Sequence, residues 1–171
     1  FEHRFNRCPE GMWLAETTVD YETLEILAAN NIKFTILSPY QAKSVFENNK
    51  WINTSNGTVD VTIPYKIQLP NNREITVIFY DGNLSKSVAF ENLLENSDNL
   101  MSAIDARFKQ DFPHNQIITL ATDGETYGHH KKFGELALTY LFEKIKSLKN
   151  IKLCNISYYL SKNNYFKNVA V

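Results

Sequence analysis

The sequence is sparing with cysteine, methionine and tryptophan, two of each among 171 residues, and it has only six glycines and five prolines. Cys8 and Cys154 stand at opposite ends of the chain. Two thiols so far apart make neither a disulfide framework nor a zinc motif. A reducing compartment is the simpler inference, and a cytoplasmic location is expected. Neither sign of charge is in excess: 18 Lys and Arg against 19 Asp and Glu leave a net charge of -1. That balance gives no support for a nucleic-acid surface. No apolar run reaches bilayer-spanning length and no signal peptide is visible, so no membrane partner is expected. Internal repeats, low-complexity stretches and linkers are also missing.

Hydrophobic residues at 43% and charged residues at 22% describe a globular chain. The length is near that of one ordinary domain, so residues 1–171 are read as one domain or part of one. Aromatics at 13% suit a large core, or ring stacking on carbohydrate. The chain opens on Phe1 rather than methionine and stops at the apolar Val169-Ala170-Val171, which reads as a piece of a longer protein.

Taken in order, Phe1 to Arg7 reads as a helix end and Pro9-Glu10-Gly11 as a turn. Met12 to Ala15 is a short buried strand that runs into Glu16. Thr18 or Asp20 can cap a helix whose buried face is Tyr21, Leu24, Leu27 and Ala28. Lys33 to Leu37 is a second strand, closed by Ser38-Pro39, and Tyr40 to Asn49 reads as a short helix. Strand, helix, strand with short links is a βαβ unit, so parallel neighbours are expected. Residues 51–70 break that rhythm. Asn56-Gly57 is a hairpin signal, with strands expected over Thr58 to Ile63 and Tyr65 to Leu69, apart from the main sheet. Glu74 to Phe79 is a third core strand, ending at Tyr80-Asp81. Helices are expected over Leu84 to Asn96 and Asn99 to Gln110. Gln116 to Ala121 is a fourth strand, and a periodic helix with Phe133, Leu136, Ala137, Tyr140, Leu141 and Leu148 on its apolar face follows. Ile151-Lys152-Leu153 reads as a strand start and Ile156 to Lys162 as a short helix.

Between the fourth strand and its helix lies Ala121-Thr122-Asp123-Gly124-Glu125-Thr126-Tyr127-Gly128-His129-His130. Two carboxylates, two imidazoles and two glycines share one strand-to-helix turn, where an α/β protein usually keeps its chemistry. The four core strands end near Glu16, Ser38, Asp81 and Asp123, and parallel strands deliver such ends to one rim. Carboxylates gathered there repel, which splits their proton affinities and suits one acid beside one ionised nucleophile. Glycoside hydrolysis or transfer uses that arrangement. A divalent cation on Asp123, Glu125, His129 and His130 is the rival reading, although their spacing matches no recognised zinc pattern.

At these residues the sequence resembles glycoside hydrolase family 57. Gly11-Met12-Trp13-Leu14-Ala15-Glu16-Thr17 is similar to the family's segment that carries the nucleophile, and Thr122-Asp123-Gly124-Glu125-Thr126-Tyr127-Gly128 to the one that carries the acid/base. Phe34 to Ala42 and Phe79-Tyr80-Asp81-Gly82 are similar to a bacterial branch with a large uncharacterised C-terminal region. The resemblance implies part of a (β/α)7 barrel, an α/β fold with about four parallel core strands, flanking helices and a small hairpin insertion over about 51–70. The family's nucleophile follows its fourth strand and its acid/base the seventh. Those positions agree with the strands before Glu16 and Asp123 if three strands precede this stretch. Glu16 would then be the nucleophile and Asp123 the acid/base of a retaining enzyme on α-glucans, of α-amylase or 4-α-glucanotransferase type. Trp13, Asp81, Glu125, Tyr127, His129 and His130 would bind substrate, with Trp13 favoured as core. No metal and no cofactor are implied. Partners would be an α-glucan and the N- and C-terminal remainder of the same protein. Ala15 departs from a proline common in this branch, and Lys131 from a third histidine. The family's early histidine segment and second motif are absent, so the intact protein is expected to be the enzyme. The alternatives are a metal-dependent polysaccharide deacetylase-like hydrolase and a non-catalytic carbohydrate-binding module.

Overall fold

The structure, a computed structural model, describes residues 1–171. Seven strands form one open sheet: β1 (Gly11–Met12), β2 (Phe34–Leu37), β3 (Ser44–Glu47), β4 (Lys50–Asn53), β5 (Tyr65–Leu69), β6 (Arg73–Phe79) and β7 (Lys167–Ala170), in the order β1-β2-β6-β5-β7-β3-β4. The helices are α1 (Glu2–Phe5), α2 (Tyr21–Ala29), α3 (Gly82–Phe90), α4 (Ser97–Asp105), α5 (Gly134–Ser147) and α6 (Ile156–Lys162). The mixed α/β architecture with a parallel segment and flanking helices is the one expected, and the sheet does not close.

The parallel part is β1, β2 and β6. Phe34 pairs with Thr76 and Leu37 with Phe79, while Met12 pairs with Thr35. Leu14 is therefore level with Leu37 and Phe79, and the chain leaves all three strands at the same rim. The helix between β1 and β2 makes this parallel pairing possible. Asp20 caps it by accepting from Thr23 N–H at 2.8 Å, and Leu24 and Leu27 bury its inner face. Gly11 is fixed by close approach: a Cβ there would sit 2.2 Å from the Phe34 ring, which lies across the strand.

Several local expectations differ from the fold. Tyr40 to Asn49 is not a helix; after a 3-10 turn at Pro39–Gln41 the chain becomes β3. Asn48 and Asn49, with φ of 51° and 60°, turn β3 into β4, so the hairpin tip is there and not at Asn56-Gly57. Asn tolerates the left-handed region better than most residues. Thr58 to Ile63 is not a strand, because Asp60 Oδ1 accepts from both Thr62 N–H (3.0 Å) and Thr62 Oγ1 (2.7 Å) and folds the segment on itself. β3, β4 and β5 do not stand apart: β5 pairs with β6, and β7, from the end of the chain, lies between β5 and β3 and joins the β3–β4 hairpin to the main sheet.

Gln116 to Ala121 is extended yet belongs to no ladder. β6 is already paired on both edges, with β2 and β5. The segment meets only its end, through Asp81 N–H to Thr119 O (2.9 Å), and meets the chain before β5 through Ile117 N–H to Thr62 O (2.9 Å). Ile151–Leu153 forms no strand. The helix expected over Leu84 to Asn96 ends as α3 at Phe90, followed by a 3-10 turn at Leu93–Glu95. α5 buries Ala137, Leu141 and Ile145, whereas Leu136 and Tyr140 face outward.

Two cores result. One packs Leu24, Leu27, Leu37, Ile67, Ile75, Val77 and Phe79 between α2 and the sheet, with Tyr65 edge-on to Phe79 at 5.4 Å. The other packs Leu84, Val88, Leu100, Ile104, Leu141 and Ile145 among α3, α4 and α5. Asp60 ties the 57–62 loop to the exit of α4 through Lys109 Nζ. Burial raises the affinity of Asp60 for its proton, but Lys109 and the two Thr62 donors outweigh it and hold the group below the usual carboxylate range. Its folded value thus lies below its unfolded one. The stability it supplies is present above the ordinary carboxylate range and is lost as pH falls through the lower folded value. Asp60→Asn is expected to cost about 1–3 kcal/mol at pH 7 and to flatten the acid limb, as read by urea unfolding across pH.

Candidate active site

The rim where β1, β2 and β6 end carries a cavity of about 580 Å3. Its walls include Trp13, Glu16, Tyr80, Thr122, Asp123 and Tyr127. Glu16 and Asp123, from two distant stretches, thus line one opening.

Glu16 sits on a 3-10 turn, Ala15–Thr17, where Thr17 N–H returns to Leu14 O at 3.0 Å. Both Glu16 (φ 53°) and Thr17 (φ 51°) are left-handed. A β-branched residue there is an outlier, at a cost of about 1–3 kcal/mol. Gln41 holds the strained turn. Its Nε2 donates to Thr17 O, and its Oε1 accepts from Ser38 N–H at 2.9 Å. One amide therefore fastens the turn after β1 to the end of β2. Thr17 is buried while Glu16 is exposed to the cavity.

Asp123 precedes a second 3-10 turn, Gly124–Thr126, with Thr126 N–H bonded to Asp123 O at 3.1 Å. The Thr122 and Tyr127 hydroxyls meet at 3.1 Å and bracket Asp123. The motif then coils back on itself, with Lys131 N–H on Thr126 O and Gly128 N–H on Lys131 O, before α5 begins at Gly134. Lys131, where a histidine was expected, gives its Nζ to Glu91 O at 2.6 Å and anchors this coil to the end of α3.

Of the residues read from sequence, Glu16, Asp123, Trp13 and Tyr127 line the cavity together. Trp13 is 51% exposed at its wall, which corrects the preference for a core role. Asp81 is elsewhere: Oδ1 accepts from Leu84 N–H (2.8 Å) to cap α3, and Oδ2 lies 3.0 Å from Arg107 Nε. Both oxygens are engaged, and the residue is buried. Glu125, His129 and His130 are exposed and stand outside the cavity lining. The two histidine rings are 4.9 Å apart, and no three His, Cys, Asp or Glu side chains gather as a metal cluster. Tyr80, Thr122 and Gln41 were missed. Period-two alternation signalled Tyr80, since a strand that turns Asp81 inward turns its predecessor the other way.

A model of the sequences of glycosyl hydrolase family 57 matches residues 1–170. The chain belongs to glycosyl hydrolase family 57. Its fold is similar to that of a 4-alpha-glucanotransferase from Thermococcus litoralis, with a TM-score of 0.69 and 20% identity over 95% of this chain and 24% of that one. It is also similar to the alpha-amylase AmyC from Thermotoga maritima, with a TM-score of 0.66 and 14% identity over 98% of this chain and 43% of that one. The chain thus spans less than half the length of either. No curated protein matches it. No helix is long and apolar enough to cross a membrane.

Gln41 offers a direct test of the site's geometry. Gln41→Leu leaves Thr17 O and Ser38 N–H without partners and is expected to cost about 1–3 kcal/mol. Gln41→Glu sets a carboxylate against Thr17 O at neutral pH, and its penalty should shrink as that group gains a proton in the ordinary glutamate range. Urea unfolding at pH 7 and pH 4.5, roughly the usual glutamate value, reads both effects.

Proposed function

We propose that this chain is the C-terminal part of the catalytic barrel of a retaining glycosidase on α-glucans, with Glu16 as nucleophile and Asp123 as acid/base. The observation that carries the reading is that these two residues line one cavity although they come from distant parts of the sequence. Family membership and the two similar folds support the reaction class and the α-glucan substrate.

In the first step the Glu16 carboxylate attacks the anomeric carbon. The glycosidic C–O bond breaks, and Asp123 gives its proton to the departing oxygen. In the second, the Asp123 carboxylate takes a proton from water or an acceptor sugar hydroxyl. The oxygen so activated attacks the same carbon and frees Glu16. Water gives hydrolysis and a sugar gives transfer. Trp13 and Tyr127 supply apolar walls for a sugar ring, and Gln41 keeps the nucleophile's turn in its strained form. Asp81 supports the rim through α3 and Arg107. Glu125, His129 and His130 lie on the outer side of the turn, within reach of longer substrate.

The remainder of the barrel is proposed to come from the rest of the natural protein. Within 117–121 the N–H and C=O groups of Ile118 and Leu120 have no main-chain partner, and an apolar cavity of about 440 Å3 lies beside them. Open backbone groups next to apolar surface suit a further strand. Cys8 and Cys154, both free and exposed, suit a reducing, cytoplasmic setting.

Glu16→Gln and Asp123→Asn in the intact natural protein are each expected to lower turnover of a maltooligosaccharide by about 10²–10⁴-fold. The folded state, read by circular dichroism, should be kept. Turnover within twofold of wild type for either variant would contradict the assignment.

A further inference from the structure

A second cleft lies on the far side of Tyr80. It holds about 540 Å3 and is lined in part by Tyr40, Asn83, Lys86 and Arg107. Tyr80 lines both this cleft and the cavity of Glu16 and Asp123, so the two are neighbours across one ring. From these walls we infer that the second cleft binds a further glucosyl unit of the same α-glucan. The inference rests on the glycosidase reading above.

Tyr40 is the platform. It is 70% exposed, yet it is not loose. It sits in the 3-10 turn that begins at the buried Pro39, whose ring fixes φ. One side of its ring lies against the backbone at Gly57, where φ is +74° and a Cβ would come within 2.9 Å of Cε1. Only glycine lets the loop approach that closely. Most of the ring remains exposed at the cleft, and an aromatic ring so held stacks well on the C–H face of a pyranose.

The opposite walls carry fixed polar groups. Arg107 is oriented by Asp81, which holds its Nε at 3.0 Å, and its side chain remains 39% exposed. Asn83, on the first turn of α3, is exposed beside it. A guanidinium and an amide offer directional donors and an acceptor to hydroxyl groups. The cleft also suits a neutral ligand better than an anion. Arg107 is balanced by Asp81, Lys109 by Asp60, and Lys86 faces Glu91 at 3.9 Å. An aromatic platform with a few convergent polar groups is the usual form of such a site.

The test is Tyr40→Ala in the intact natural protein carrying Glu16→Gln, with Kd measured by calorimetry. Maltoheptaose should bind about 3- to 10-fold more weakly, maltose should change by less than about twofold on the same scale, and Tyr40→Phe should restore tight binding. Equal weakening of both sugars, or none, would overturn the inference. So would inorganic phosphate that competes with maltoheptaose. Cleavage of glucan by the Glu16→Gln protein would remove the nucleophile assignment, while the Kd comparison would still decide the cleft.

Discussion

Asp81 is the hinge-pin of the rim. Its Oδ1 caps α3 through Leu84 N–H, its Oδ2 pairs with Arg107, and its N–H bonds to Thr119 O. Ser85, one turn further along α3, accepts from Ala121 N–H at 3.1 Å. The segment that delivers Asp123 has few other main-chain ties. The position of that carboxylate therefore depends on a buried acid that never touches the cavity. Leaving the buried groups that Asp81 serves without their partner costs about 1–3 kcal/mol, so the rim and the site stand or fall together.

The parallel register of β1, β2 and β6 does the rest. It brings the turn after β1 level with the ends of the other two strands. That turn is held in a conformation its residues resist, by the single amide of Gln41. Strain kept in place by a neighbouring element is a common property of reactive sites. Around Asp123 the Thr122–Tyr127 hydroxyl contact and the coil through Lys131 play the corresponding part.

Much of this was legible in the sequence where the signal is local. The Asp20 cap, the apolar runs of β2 and β6, the presence of α5 though not its buried face, and the two motifs at Glu16 and Asp123 all state themselves over a few residues. The failures share a non-local cause. β3 pairs with β7, which comes from the far end of the chain, and no local period in Tyr40 to Asn49 could announce that partner. Asp81 looked like a reactive acid at a strand end because its two partners, a helix N-terminus and Arg107, are invisible until the chain folds. Trp13 looked like core for the same reason: composition does not say which side of a short strand end meets a cavity. His129 and His130 adjoin Asp123 in sequence, and the coil after Thr126 sets them outside the cavity lining.

Under the proposed function, Glu16 forms the covalent bond to sugar. The most direct measurement traps that intermediate with an activated fluorinated glucosyl donor on the intact protein and locates the label by peptide mass spectrometry. The account predicts one glucosyl unit on the peptide that contains Glu16. A label carried by any other side chain would contradict it.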